Sequence, residues 1–269
     1  MFNLIKSDLT RIIKDKLFLI LCILGVVFAI ITPLLYVLIR DLFTIDQNLI
    51  QLITNSKSMF FSAFSLGSDF GLIAPILMSI IICKDFSQGT IRNKIICGKS
   101  RRSIFASYTI SCGITLFAVV LLHAVVMLGF SLIFFEYQPT PFVASDIGYF
   151  FASLGMQLVI YAFVSCMISF FCVVMKNVGL SIVTYFGINF FFILIGSVIS
   201  VALSLSTPAD SSYQILIILN DANLFTSTII GSGNFYTLTQ VLCILLPPII
   251  GGVACVLLGT LIFKKKNLK

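Results

Sequence analysis

The feature that most limits the fold of this chain is a series of long segments that contain no charged residue. Leu17–Ile39 runs 23 residues without a charge, and 33 uncharged residues separate Arg102 from Glu136. A helix needs about 20 apolar residues to cross the ~30 Å hydrocarbon core of a bilayer. Hydrophobic residues make up 59% of the chain, against about 45–50% in soluble domains. The pattern therefore predicts an all-α membrane protein.

The uncharged segments predict six transmembrane helices in one domain. We see no internal repeat, low-complexity tract or flexible linker, so residues 1–269 are expected to form a single transmembrane unit. Between the fifth and sixth spans, two apolar pieces are too short to cross and predict re-entrant or interfacial helices. These pieces are Tyr213–Asn220 and Leu224–Ile230. The predicted spans are about 17–39, 64–83, 106–135, 149–175, 178–201 and 241–263.

The placement of lysine and arginine predicts the orientation. Fifteen of them fall in the N-terminal segment, the connection between spans two and three, the turn between spans four and five, and the C-terminal tail. The opposite side carries only Arg40 and Lys57. Because cytoplasmic loops are enriched in basic residues, both termini are expected in the cytosol of a cell-membrane protein. The net charge of +7 then reflects loops that face anionic lipid, and we expect no nucleic-acid partner.

The first sixteen residues predict an amphipathic helix in the inner membrane interface. Its apolar residues recur at steps of three and four, and its basic residues lie elsewhere on the helical wheel. Two interpretations stay open: a membrane-surface anchor, or a lever that contacts a cytosolic partner. The apolar residues are Phe2, Ile5, Leu9, Ile12 and Ile13, and the basic ones are Lys6, Arg11 and Lys14.

Few residues could carry catalysis or bind a metal. The chain has one histidine, His123, and one glutamate, Glu136. A metal site needs three or four ligands and a hydrolytic site needs a base beside a nucleophile, so we expect neither. For His123 the sequence favours an interhelical hydrogen bond over a role in a substrate pathway. Asp69 is a second weak pathway candidate, and it is expected near the outer surface if its span begins near Phe64.

The connection between the second and third spans is the most informative stretch. Gly89 allows a tight bend, Ser87 could cap a short helix, and Ile91 and Ile95 form a small apolar face. Two interpretations stay open for this stretch. A compact bend with basic and apolar residues is suited to docking in a groove of another protein, and the alternative is a basic cytoplasmic loop with no specific function. Gly98-Lys99-Ser100 resembles the end of a phosphate-binding loop, yet no glycine precedes Gly98 by five residues and no strand is predicted. Any ATPase would therefore be a separate chain.

The connection contains Asp85-Phe86, Gly89-Thr90 and Gly98-Lys99-Ser100-Arg101-Arg102. This set of residues resembles the corresponding segment of the type-2 permease family of ATP-binding cassette (ABC) transporters. In that family an acidic and an aromatic or apolar residue end the second span. A Gly-Thr pair follows, and a Ser-Arg pair then opens the third span. Asp stands here where Glu is usual, and Tyr108 lies near where Lys is common.

The resemblance implies an exporter of two six-span subunits and a cytosolic ATPase dimer. The second subunit would be an identical copy or a paralogue, and ATP and Mg²⁺ would be held by the ATPase and not by this chain. Aromatic-rich spans with few charges suit an amphipathic or lipophilic cargo, such as an antimicrobial or lantibiotic-like peptide exported for immunity in a Gram-positive bacterium. The implied ATPase-coupling residues are Asp85, Phe86, Ser87, Gln88, Gly89, Thr90, Ile91, Arg92, Asn93 and Lys94.

Two other classes of function are weighed against this one. An ATP-independent secondary carrier or channel often shows inverted repeats and intramembrane acids, and neither is evident in the sequence. An intramembrane enzyme such as a prenyl-protein protease would need paired glutamates and several histidines, whereas the chain has one of each. We therefore expect a transport subunit and not an enzyme.

Overall fold

The computed structural model describes residues 1–43, 55–137, 144–175, 177–206, 213–225 and 238–265, and the structural statements below concern these ranges. Within them the chain is helical and contains no strand. The helices are α1 (Phe2–Lys14), α2 (Lys16–Phe43), α3 (Ser56–Ser62), α4 (Asp69–Ser87), α5 (Thr90–Ile96), α6 (Arg101–Phe134), α7 (Ala144–Met175), α8 (Val178–Leu205), α9 (Tyr213–Ala222) and α10 (Leu238–Lys265).

Five of these helices are long and apolar enough to cross a membrane. They are α2, α6, α7, α8 and α10, and a sixth crossing is obtained if α4 and α5, bent by 52°, are counted as one. The all-α, multi-pass membrane character predicted from the sequence is therefore confirmed. The predicted second span corresponds to α4, whose 19 residues reach about 28 Å at the helical rise of 1.5 Å per residue.

The start of α4 differs from the predicted start of the second span near Phe64. The helix begins five residues later, because Ser68 accepts a hydrogen bond from the Gly71 N–H at 3.1 Å and so caps it. At Gly71 a Cβ atom would stand 2.0 Å from the Ser65 carbonyl oxygen, so only glycine allows this close turn. The chain is thus interrupted between α3 and α4, directly before Asp69.

Aromatic side chains pack between α3 with the turn after it, α6 and α7. Phe60 stacks on Phe150 with ring centroids 5.2 Å apart, and Phe64 lies 6.1 Å from Phe117. The Tyr161 hydroxyl donates a hydrogen bond to the Phe64 carbonyl oxygen at 3.0 Å. Because a buried hydroxyl needs a partner, this bond fixes the α3–α4 turn against α7.

The predicted piece Tyr213–Asn220 lies within helix α9. Just after this helix, the Asn223 side chain donates to the Phe192 carbonyl oxygen of α8 at 2.8 Å, and Phe225 stacks on the Phe192 ring at 5.5 Å. Of the predicted piece Leu224–Ile230, only Leu224 and Phe225 are described, and both are buried. The remainder lies outside the described residues. These contacts hold the end of α9 against α8.

Candidate functional site

The connection between α4 and α6 forms a compact elbow, defined here as residues 83–102. Gly89 has φ +70°, in the left-handed region, and a Cβ atom there would meet no neighbour within 4 Å. Glycine is therefore required for its backbone angle and not for space, and the predicted bend at Gly89 is confirmed. The predicted cap at Ser87 is wrong, because α4 continues through Ser87 and Gly89 takes the N-cap position of α5.

The elbow packs its apolar residues inward. Ile91 is 2% exposed and Ile95 is half-buried against the core, so the small apolar face predicted for α5 is used for packing inside the protein. Ile96, by contrast, is 73% exposed at the tip of the elbow. Its exposed neighbours are Gln88, Arg92, Asn93, Cys97 and Lys99.

Three ion pairs attach the elbow to α1 and to Asp15, which directly follows it, and we call this set the α1–elbow contact. Arg11 pairs with Asp85, and Lys94 pairs with Asp8. The Lys84 Nζ lies 3.2 Å from an Asp15 carboxylate oxygen. The signs alternate along both partners, acid–base–acid on the N-terminal segment and base–acid–base on the elbow. The pattern fixes one register between them.

Two of the acids in the α1–elbow contact are buried. Asp8 is 1% and Asp85 is 3% exposed. Asp8 also accepts a hydrogen bond from the Ser107 hydroxyl of α6 at 2.6 Å. A buried carboxylate is costly unless it is paired, so each of the two acids depends on its basic partner. Through its two partners Asp8 connects α1, the elbow and the start of α6.

Tyr108 lies at the centre of these contacts. The Lys94 Nζ donates to its hydroxyl at 2.9 Å and stands 4.2 Å from its ring centroid, and the Arg11 guanidinium is 5.7 Å from the same centroid. Both positions allow attraction between a cation and an aromatic ring. The lysine that is common near this position in the resembling family is absent here, and Lys94 of α5 supplies an ammonium group beside Tyr108.

Asp15 joins α1 to α2. Its carboxylate accepts a hydrogen bond from the Leu17 N–H at 2.9 Å and pairs with Lys84. Burial alone would raise the pKa of Asp15, but the Leu17 N–H, Lys84 and Arg11 together lower it below its ordinary value. The carboxylate therefore stays charged and keeps the junction between α1 and α2 next to α4.

The end of α10 lies beside the same elbow. One Arg101 guanidinium nitrogen donates to the Phe263 carbonyl oxygen at 3.1 Å and to the Lys264 carbonyl oxygen at 3.0 Å. These are carbonyls of the last helical turn, which have no partner within the helix. The N-terminal helix, the elbow and the end of the last helix thus meet at one end of the bundle, as the charge pattern predicts.

The two weak pathway candidates lie far from the elbow along α4 and α6. The His123 Nδ1 is 2.7 Å from the Gly25 carbonyl oxygen of α2, and its ring stacks on Phe70 with centroids 4.4 Å apart. Because a carbonyl only accepts, Nδ1 carries the proton, and the interhelical bond favoured by the sequence is present. Asp69 is the first residue of α4, directly before Phe70, and its side chain lies outside the described residues.

The structure shows which face of α1 packs inside the protein. Leu4, Asp8 and Ile12 are buried, whereas Phe2 and Ile13 of the expected apolar stripe are 78% and 57% exposed. Sequence reasoning missed the roles of Asp8, Arg11 and Asp15. Their alternating signs, opposite those at Lys84, Asp85 and Lys94, were the available signal.

The predicted coupling residues form one continuous structural unit. Residues 85–94 span the end of α4, the bend and most of α5, although the side chains of Phe86 and Ser87 lie outside the described residues. In the described ranges, no group of three or more His, Cys, Asp or Glu residues is arranged to hold a metal ion.

No family model matches the chain, and no curated protein is similar to it. The family resemblance therefore depends on the sequence features that carry it. These are the elbow residues, the basic amphipathic N-terminus, the series of predicted spans and the short turn between spans four and five.

Proposed function

We propose that this chain is the membrane-spanning permease subunit of an ATP-driven exporter of the type-2 ABC class, with the elbow as its coupling helix. The observation that carries the proposal is the α1–elbow contact, in which Asp8 and Asp85 are buried and paired across elements. A coupling element must move as a rigid body when a partner pushes on it. Buried ion pairs with fixed partners give the elbow that property.

The exposed tip of the elbow is the proposed contact with the ATPase. Ile96 offers an apolar anchor, and Arg92 and Lys99 surround it with positive charge. An apolar centre with a polar rim is typical of protein interfaces. The partner would be a cytosolic ATPase dimer that holds ATP and Mg²⁺, and a second permease, a copy or a paralogue, would complete the transporter.

Movement of the tip would be transmitted directly to α4 and α6. The elbow continues into α4 on one side and α6 on the other, and the α1–elbow contact adds α1 and the start of α2 to the moving unit. ATP binding and hydrolysis would bias the bundle between two arrangements. Both termini and the elbow would lie in the cytosol.

A hollow between α6 and α7 supports an amphipathic or lipophilic cargo. Its volume is about 550 Å³, and its lining is apolar apart from Thr109 and Ser165 at one side. Phe117 and Leu158 contribute to its walls. A peptide of the antimicrobial or lantibiotic type would present matching apolar side chains, in keeping with export or self-immunity in a Gram-positive bacterium.

Co-purification tests the proposal. The chain is expressed with an ABC ATPase encoded beside it, and ATPase retention and stimulated hydrolysis are measured. Ile96→Glu should abolish both, because it places a charge in the apolar centre of the interface. Leu42→Glu is the matched control, since Leu42 is 76% exposed at the other end of the bundle. Equal retention by both variants, or intact coupling in Gly89→Pro, would contradict the coupling assignment.

A further inference from the structure

Helix α1 has two outward surfaces of different chemistry besides its buried face. One is an apolar edge: Phe2 is 78% and Ile13 is 57% exposed, and Met1 is also exposed. A single exposed apolar side chain needs no explanation, but two aromatic or β-branched residues on the same edge of one helix favour contact with hydrocarbon.

The position of α1 places this edge at the membrane boundary. The Ser111 hydroxyl of α6 donates to the Ile5 carbonyl oxygen at 3.5 Å, and Ser107 donates to Asp8. Both serines lie near the start of the uncharged stretch that follows Arg102. The apolar helix α2 begins at Lys16, directly after α1. The helix therefore lies where the headgroups meet the hydrocarbon core.

The second surface is polar and basic. A shallow and largely open hollow follows α1, and no other helix contributes to its lining, which includes Asn3, Lys6, Ser7, Thr10 and Lys14. Lys6 and Lys14 are exposed, and within the described residues neither forms an ion pair. Arg11 and Asp15 border the hollow, but both are already paired with the elbow. The net result is two ammonium groups beside neutral hydrogen-bonding side chains.

We infer that the hollow on α1 binds the phosphate headgroup of an anionic phospholipid, whose acyl chains cover Phe2 and Ile13. The basic hollow and the apolar edge lie next to each other on α1, at the membrane interface. One ligand that covers both must therefore carry a negatively charged group beside a hydrocarbon chain. Phospholipid has this chemistry, and negatively charged lipid adds charge complementarity to Lys6 and Lys14. An acidic protein surface would match the lysines but would leave the apolar edge uncovered.

The inferred lipid site also regulates the elbow, a step that depends on the proposed function. Since the α1–elbow contact joins α1 rigidly to α4 and α5, a lipid that fixes α1 favours one position of the elbow. Anionic lipid is therefore a ligand whose binding changes the coupling between ATP hydrolysis and movement of the bundle.

Lipid selectivity is measured first, without any ATPase. The full chain is reconstituted in phosphatidylcholine vesicles, and binding of spin-labelled phosphatidylglycerol is compared with that of spin-labelled phosphatidylcholine. One lysine near an anionic surface contributes about a fivefold gain in binding, so Lys6→Gln with Lys14→Gln should reduce the phosphatidylglycerol preference by roughly 25-fold. Arg92→Gln with Lys99→Gln removes the same charge from the elbow tip and should leave the preference unchanged.

Two results would overturn the inference. One is equal phosphatidylglycerol preference in wild type and the α1 double variant, with unchanged thermal unfolding to show that both are folded. The other is loss of a co-purified ATPase from the α1 double variant in neutral detergent, which would assign the hollow to a protein partner. If the lipid preference is found but no ATPase ever co-purifies, the proposed function fails while the lipid site stands.

Discussion

Replacing Lys94 by methionine tests whether the α1–elbow contact stabilises the protein. The substitution removes the ammonium group but keeps a long apolar side chain, so Asp8, which is 1% exposed, retains only the Ser107 hydroxyl as a described partner. Leaving one charge of a buried pair without its counterion costs about 3–5 kcal/mol. For a chain of this size, that corresponds to a fall in melting temperature of roughly 6–20 °C.

The assay is thermal unfolding of the purified chain in a mild detergent. Lys99→Met is the matched control, because Lys99 is exposed on the same elbow and has no ion-pair partner among the described residues. Its melting temperature should stay within about 2 °C of wild type, as for ordinary surface substitutions. The double variant Asp8→Leu with Lys94→Met removes both charges and should recover most of the loss, since a buried pair can be replaced by apolar residues at little cost.

Equal melting temperatures for Lys94→Met and Lys99→Met would refute the reasoning. The reasoning would also be refuted if the destabilisation of the double variant equalled the sum of the destabilisations of the two single variants, because the two charges would then not interact. If Lys94→Met does not fold at all, recovery in the double variant still measures the pair. The test concerns stability alone, and its outcome does not depend on cargo or ATPase.

Three further predictions follow from single sites. Gly89→Ala should destabilise the elbow by about 1–2 kcal/mol, because alanine is strained in the left-handed backbone conformation of this position, although its Cβ would meet no neighbour. The effect is measured as a lower melting temperature, and Gln88→Ala is the control that should not lower it. The pKa of Asp15 is lower in the folded chain than its ordinary value. The charged carboxylate therefore stabilises the fold fully at pH above the ordinary pKa, and this stabilisation is lost as pH falls through the lowered pKa. Asp15→Asn should therefore reduce the loss of stability between neutral and acidic pH, measured by unfolding curves at a series of pH values. Arg101→Gln should loosen the end of α10 by about 1 kcal/mol, seen as faster amide exchange at Phe263 and Lys264, with Arg102→Gln as control.

The location of the candidate site was predictable because its signals are local. The Gly89 bend, the neighbouring basic residues and the change from an apolar run to charged residues all occur within the elbow itself. The helix boundaries were less predictable. Hydropathy marks the part of a helix inside hydrocarbon, whereas caps such as Ser68 and Ser100 decide where the backbone begins to coil.

The partners of the elbow could not be predicted from spacing. Asp8 is separated from Lys94 by 86 residues, and Asp15 is separated from Lys84 by 69. Helical periodicity placed the apolar residues of α1 on one stripe, and it gave no sign that Asp8 is buried, because hydropathy treats a charged residue as outward. Asp8 is nevertheless buried, since pairing with Lys94 compensates for the loss of water.

The sequence by itself determined that the chain is a helical membrane protein, because uncharged apolar runs of that length are stable only in lipid. It also determined that a basic, glycine-bent connection joins two of the helices. Only the tertiary structure decided that α1 is attached to this connection through Asp8, Arg11 and Asp15. Ion pairs between segments distant in sequence depend on how the helices pack, and packing is a property of the whole bundle.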